Sequence, residues 1–149
     1  MRAVIQRVKY ATLKVDGKLI SGIKIGFLVL LGVKSGDTEE DVLKLGKKIS
    51  NLRIFEDENE KMNLSIADVG GEILLVSQFT LYGDCKHGNR PSFIEAEKPE
   101  RANELYLKMR DYLVSDGKVV KLGVFGADMQ IELLNDGPVT ILIDSKDLK

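Results

Sequence analysis

The sequence predicts an α+β fold: one domain in which a curved, mixed, barrel-like β-sheet is covered by two main helices. Three observations carry this. Apolar and β-branched runs of strand length open and close the chain; two amphipathic helical stripes interrupt them; and residues 26–33 are apolar on both faces, so they belong in the middle of a sheet covered on both sides. At 149 residues the chain is long enough to bury one core, and no repeat, linker or low-complexity tract divides residues 1–149 into more than one domain.

Taken in order, residues 3–8 and 12–15 read as strands, followed by Asp16-Gly17, a favoured two-residue hairpin turn, with residues 18–20 as the return strand. The first helix begins near Asp37 and Thr38. Thr38 with Asp41 three residues on resembles a capping pair, and the acidic first turn suits the helix dipole. Val42, Leu45, Ile49 and Leu52 fall on one buried stripe, with Gly46 tolerated at about 1 kcal/mol relative to alanine. Residues 56–61 are polar and acidic and read as a solvated loop. Residues 73–76 form a second core strand that runs into residues 77–81.

A long loop follows, from Tyr82 to about Lys98, holding Cys85 and His87; loops of this length in compact domains are often functional. Pro99 stands at a first helical position. Ala102, Leu105, Met109, Tyr112 and Leu113 give a second stripe that stops at Gly117. Residues 118–122, 129–134 and 139–143 complete the sheet.

Composition narrows the function. Hydrophobic residues at 44% and charged ones at 30% describe a folded rather than a disordered chain. The 22 basic residues against 23 acidic ones, a net charge of −1, exclude a polybasic wrapper of nucleic acid and leave room for a local RNA contact. No apolar run is long enough to cross a bilayer, and Met1-Arg2-Ala3-Val4-Ile5-Gln6-Arg7 lacks a signal-peptide core, so a cytoplasmic protein is expected. One cysteine and one histidine supply neither a disulfide nor a zinc-ligand set, and no metal or cofactor is expected. Phosphate-loop and dinucleotide signatures are absent. A Ser-His-Asp machine would have to recruit His87, which reads as an exposed side chain in a polar loop, with a phosphate contact as its other use.

Two segments stand out. Ser77-Gln78-Phe79-Thr80 places three hydrogen-bonding side chains and an aromatic ring at the end of an apolar strand. Either the strand end is simply wet, with Ser77 and Thr80 bonding their own backbone, or it lines a pocket whose main-chain N–H groups face an oxyanion and whose phenyl ring packs a planar ligand. Asn135-Asp136-Gly137-Pro138 reads as a hairpin turn. Its Gly-Pro pair also permits a cis peptide bond, which only about 5–6% of X–Pro bonds adopt.

Both segments, with the opening Met1-Arg2-Ala3-Val4-Ile5-Gln6-Arg7-Val8, resemble the signature segments of the D-aminoacyl-tRNA deacylase family, once called D-tyrosyl-tRNA deacylase. Asn89-Arg90-Pro91-Ser92-Phe93 and Gly123-Val124-Phe125-Gly126-Ala127-Asp128-Met129 are similar too, in the right order, so the resemblance runs end to end. His87 and Asn89 depart from it, where relatives often carry lysine or arginine.

The resemblance implies a homodimer with its active site at the subunit interface. Ser77, Gln78, Phe125 and Met129 would bind the 3′-terminal adenosine of an aminoacyl-tRNA, with core packing the alternative for Phe125 and Met129. Gly137 and Pro138 would enter in trans from the other subunit as a chirality filter, with Arg7 the candidate brace. The implied substrate is a D-aminoacyl ester on tRNA, with glycyl-tRNA accepted and L-aminoacyl-tRNA rejected. An aminoacyl ester is already activated, so main-chain donors at Phe79 and Thr80 could suffice for catalysis without a histidine base. Thr80 is the nucleophile candidate by residue type, but no base is evident beside it, which favours a positioning role. Two rival readings stay open: a noncatalytic RNA-end or small-ligand binding module, and a threonine-dependent hydrolase of small esters.

Overall fold

In the computed structural model, which describes residues 1–149, strands and helices follow the predicted order with different continuity. β1 (Arg2–Val15) is one strand of 14 residues rather than two. Its first half pairs antiparallel with β3 (Gly26–Gly32), from Arg2 opposite Gly32 to Val8 opposite Gly26; its second half pairs with β2 (Lys18–Ile23), from Ala11 opposite Ile23 to Val15 opposite Lys18. Residues 9–10, which fall between the two expected strands, mark the change of partner.

β3 runs parallel to β6 (Glu72–Ser77), and β6 to β7 (Val119–Leu122). Parallel neighbours need crossovers; these carry α1 (Glu39–Asn51) and α2 (Pro99–Ser115). β8 (Gln130–Asp144) lies antiparallel along β1, so the sheet order is β2-β1-β3-β6-β7 with β8 also on β1.

Alternation along β3 and β6 divides the core. Phe27, Val29, Leu31, Ile73 and Leu75 face the helices and join Val42, Leu45, Ile49, Leu105, Met109 and Leu113 in one apolar cluster. Leu28, Leu74 and Val76 point the other way, where Val8, Leu13 and Ile23 cover them with help from Met129 and Ile131. Residues 26–33 are thus covered twice, by helix on one face and by the sheet's own curl on the other. That closure gives the barrel-like form.

The helix ends follow local chemistry. The Thr38 backbone N–H donates to Asp41 Oδ2 at 2.8 Å, and Pro99 occupies the first turn of α2. Gly46 is more than tolerated: a Cβ there would lie 2.5 Å from Tyr112 Cδ1, so its bareness lets α1 and α2 approach.

Residues 57–61 are the solvated loop expected, joining a small hairpin of β4 (Phe55–Glu56) with β5 (Met62–Leu64), strands too short to show a period. Two expectations are corrected. The strand through residue 81 stops at Ser77, and the chain turns into a 3₁₀ helix, Phe79–Tyr82. Residues 135–138 are not a hairpin turn; they lie inside β8, where its pairing with β1 shifts register. Neighbouring β1 continues past them on both sides, and that long-range pairing overrides the local turn preference.

Candidate active site

The parallel β3–β6 ladder ends at Leu31 opposite Ser77, and the Gln78 N–H closes it by donating to Leu31 O at 2.8 Å. The following 3₁₀ turn leaves its first donors without intrahelical acceptors. Leu81 N–H donates to Gln78 O and Gly83 N–H to Thr80 O, whereas the N–H groups of Phe79 and Thr80 find no acceptor among the turn and loop hydrogen bonds. The Gln78 side-chain amide donates to the Thr80 hydroxyl.

Beside this turn opens a cavity of about 630 Å³, within the usual range for small-molecule sites. Ser77, Gln78 and Phe79 form one wall, Phe125 and Met129 another. The Phe79 ring is 55% exposed, which is unusual for so large an apolar group beside a cavity. Phe93 holds it edge-on, with ring centroids 5.2 Å apart and planes at 75°. Phe125 is backed by Tyr106, whose buried hydroxyl donates to Leu75 O at 2.7 Å; burial pushes that hydroxyl up to about 12, so it stays a neutral donor. Glu97, Lys98 and Asp128 supply the charges on the lining.

Five sequence-predicted residues, Ser77, Gln78, Phe79, Phe125 and Met129, therefore share one cavity. Thr80 is exposed at its edge with its hydroxyl engaged by Gln78. His87 is exposed in the 82–98 loop and does not line the cavity, and no three His, Cys, Asp or Glu side chains converge as metal ligands. Phe93 and residues 96–99 were missed as lining. The length of that loop signalled use, but nothing local said which of its residues folds back.

Arg7, Gly137 and Pro138 do not line this cavity. Gly137 lies six residues beyond the lining residue Ile131, about 20 Å along a strand. The Gly137–Pro138 bond is cis, and both residues are exposed. Their surroundings are tightly bonded. Arg7, 4% exposed, donates from Nε to Asp136 O at 3.1 Å and from Nη1 to Ile54 O at 2.7 Å, with Glu56 and the Asp136 carboxylate as counter-charges. A buried guanidinium is tolerable only with such partners. Asn135 accepts from Val139 N–H at 3.0 Å and donates to Gln6 and Thr140, strapping both flanks of the pair to β1. Gly137 has φ +129°, and a Cβ on it would lie 2.8 Å from Val139 Cγ2 and 3.0 Å from Arg7 Nη2.

The chain is similar from end to end to known proteins. The profile of the family described as D-Tyr-tRNA(Tyr) deacylase matches residues 4–144. A D-aminoacyl-tRNA deacylase of Clostridium novyi is 58% identical over 146 residues, 98% of each chain, and one of Fusobacterium nucleatum is 59% identical over 147 residues, 99% of this chain and 97% of that one. Among solved structures, the c-Myc DNA Unwinding Element Binding Protein superposes with a TM-score of 0.91 at 43% identity, over 97% of this chain and 98% of its own. A probable eukaryotic D-amino acid tRNA deacylase, at 19% identity and a TM-score of 0.79 over 95% of this chain and 97% of its own, shares the fold. With the profile spanning nearly the whole chain and relatives this similar from end to end, the protein belongs to the D-Tyr-tRNA(Tyr) deacylase family.

Proposed function

We propose that this protein hydrolyses the ester bond of D-aminoacyl-tRNA, releasing free D-amino acid and tRNA, and that it accepts glycyl-tRNA and rejects L-aminoacyl-tRNA. The observation that carries the reading is the cavity at the end of β6, where an exposed phenyl ring stands beside two unengaged N–H donors, in a chain 58–59% identical to proteins named D-aminoacyl-tRNA deacylase. In this reading the terminal adenosine packs against Phe79, with Ser77, Gln78, Phe125 and Met129 as the remaining walls. Water attacks the ester carbonyl, the N–H groups of Phe79 and Thr80 receive the oxyanion, and the C–O bond to the ribose breaks, with the neighbouring ribose hydroxyl relaying the proton. Thr80 serves through its backbone, since its hydroxyl is engaged by Gln78 and no base stands beside it.

We infer further that all of residues 1–149 act as one catalytic domain and that the working unit is a homodimer. Gly137 and Pro138 lie about 20 Å along β8 from their own cavity and project outward, which suits insertion into a partner's cavity. There, carbonyls that accept the substrate ammonium would leave no volume for an L side chain. The substrate also argues for action in the cytoplasm; no helix is long and apolar enough to cross a membrane.

Release of labelled tyrosine from D-tyrosyl-tRNA and L-tyrosyl-tRNA, measured side by side, tests the reading. Turnover of the D ester alone is expected. Binding of the RNA end without turnover would favour a noncatalytic module, and turnover of simple esters lacking tRNA would favour a threonine esterase.

A further inference from the structure

We propose that Arg2 and Gly32, paired across β1 and β3, form a seat that fixes the turn Phe79–Tyr82 and so aims its open N–H groups at the ester; this rests on the deacylase reading and assigns positioning residues rather than catalytic ones. Neither residue lines the cavity.

Arg2 grips the turn from one side at two points and is itself anchored at a third, outside it. Nη1 donates to Leu81 O at 2.8 Å, Nε and Nη2 each reach Asp144 Oδ2 at 3.2 Å, and the guanidinium carbon lies 4.6 Å above the Tyr82 ring. The Asp144 carboxylate at the end of β8 thus anchors a fork whose remaining prong holds the turn's backbone. A planar guanidinium can serve a carboxylate, a carbonyl and an aromatic face together, and an ammonium cannot.

Gly32 receives the turn from below. A Cβ on it would lie 3.0 Å from Leu81 Cβ, 3.1 Å from Gln78 O and 3.3 Å from Tyr82 Cδ2, touching the turn at both its start and its end. The other ties hold the flanks of the turn, through Gln78 N–H to Leu31 O, Gly83 N–H to Thr80 O and the Phe93 ring on Phe79, and leave its interior weakly bonded. A 3₁₀ segment has poor internal hydrogen-bond geometry, its own bonds here include Leu81 N–H to Gln78 O at 3.3 Å, and the buried Tyr82 hydroxyl has no partner. Arg2 and Gly32 therefore set where Phe79 and Thr80 point. That matters because a displacement of about 1 Å can cost on the order of 100-fold in rate.

Arg2→Lys and Gly32→Ala disturb the seat from its two sides, and Asp144→Asn loosens the anchor while leaving Arg2 in place. Each variant is to be assayed with D-tyrosyl-tRNA and followed by the backbone amide resonances of Phe79 and Thr80. The expected result is a fall in kcat of about 10- to 100-fold with KM within about threefold of wild type, accompanied by displaced Phe79 and Thr80 resonances in a folded protein. Arg2→Lys with Gly32→Ala should lose less than the product of the single effects, since both act through one turn. Wild-type kcat with unmoved resonances would overturn the proposal, as would a raised KM at constant kcat. The resonances decide the seat even if the wild-type chain proves inactive toward D-aminoacyl-tRNA, an outcome that would overturn the deacylase reading alone.

Discussion

The sheet presents two unlike ends. Where β6 stops, the backbone opens: two N–H groups find no acceptor among the turn and loop hydrogen bonds, a phenyl ring is exposed, and a cavity of about 630 Å³ lies beside them. Around Gly137 the opposite holds, with Arg7, Asn135, Gln6 and Thr140 bonded to one another's strands and the Gly-Pro pair projecting from a fully tied base. In the proposed homodimer one end would receive and the other would be inserted; with the Gly-Pro pair about 20 Å along β8 from the lining residue Ile131, a two-fold axis would complete two sites at once.

The largest effect should come from disabling either end. Gly137→Ala forces a side chain onto φ +129° and into Val139 and Arg7. We expect D-aminoacyl-tRNA hydrolysis to fall by about 100-fold or more, and Phe79→Ala to be similarly inactive. Mixing the two inactive variants should restore roughly a quarter of wild-type activity, because half of randomly assorted dimers hold one intact composite site of two. No recovery from variants that fold and dimerise would break the comparison.

A smaller effect is expected at Thr80. Thr80→Ala keeps both N–H donors and should lose less than about tenfold in kcat, whereas deleting a true nucleophile costs several orders of magnitude. Near-complete inactivation with tRNA binding intact would make the Ser77 end a covalent catalyst rather than a receptor.

The smallest effect concerns acid stability. Burial alone would raise the Asp41 carboxyl, but donors from the Thr38 backbone and the Ser145 hydroxyl outweigh it and hold the group below its ordinary 3.8. A carboxyl depressed in the folded state stabilises fully above its ordinary value and loses that contribution as pH falls from there through its lower folded-state value. Denaturant titrations from pH 6 downward should show wild type losing stability below about pH 4 more steeply than Asp41→Asn. Equal slopes would show that the tie between α1 and the end of β8 carries no such linkage.

Much of this was legible in the residues. The stripe of Val42, Leu45 and Ile49, the Thr38–Asp41 pair and Pro99 set both helices because helical period and capping are local. The doubly apolar run of β3 announced a covered central strand. Ser77, Gln78, Phe79, Phe125 and Met129 were marked by residue type and by resemblance, and they do share one cavity.

What the sequence by itself determined, then, was which segments are helix or strand, which faces are apolar and which short motifs carry polar groups at a strand end. The tertiary structure alone decided that β1 continues by changing partners, that β8 runs through Asn135-Asp136-Gly137-Pro138 instead of turning, that Phe93 returns to Phe79, and that Gly137 stands about 20 Å along its strand from the lining residue Ile131. Each depends on pairing between residues far apart in the chain. Arg2 and Leu81, or Arg7 and Asp136, meet only once β1 has chosen its neighbours and their register. That choice is a cooperative property of the whole sheet, which no local window of sequence contains.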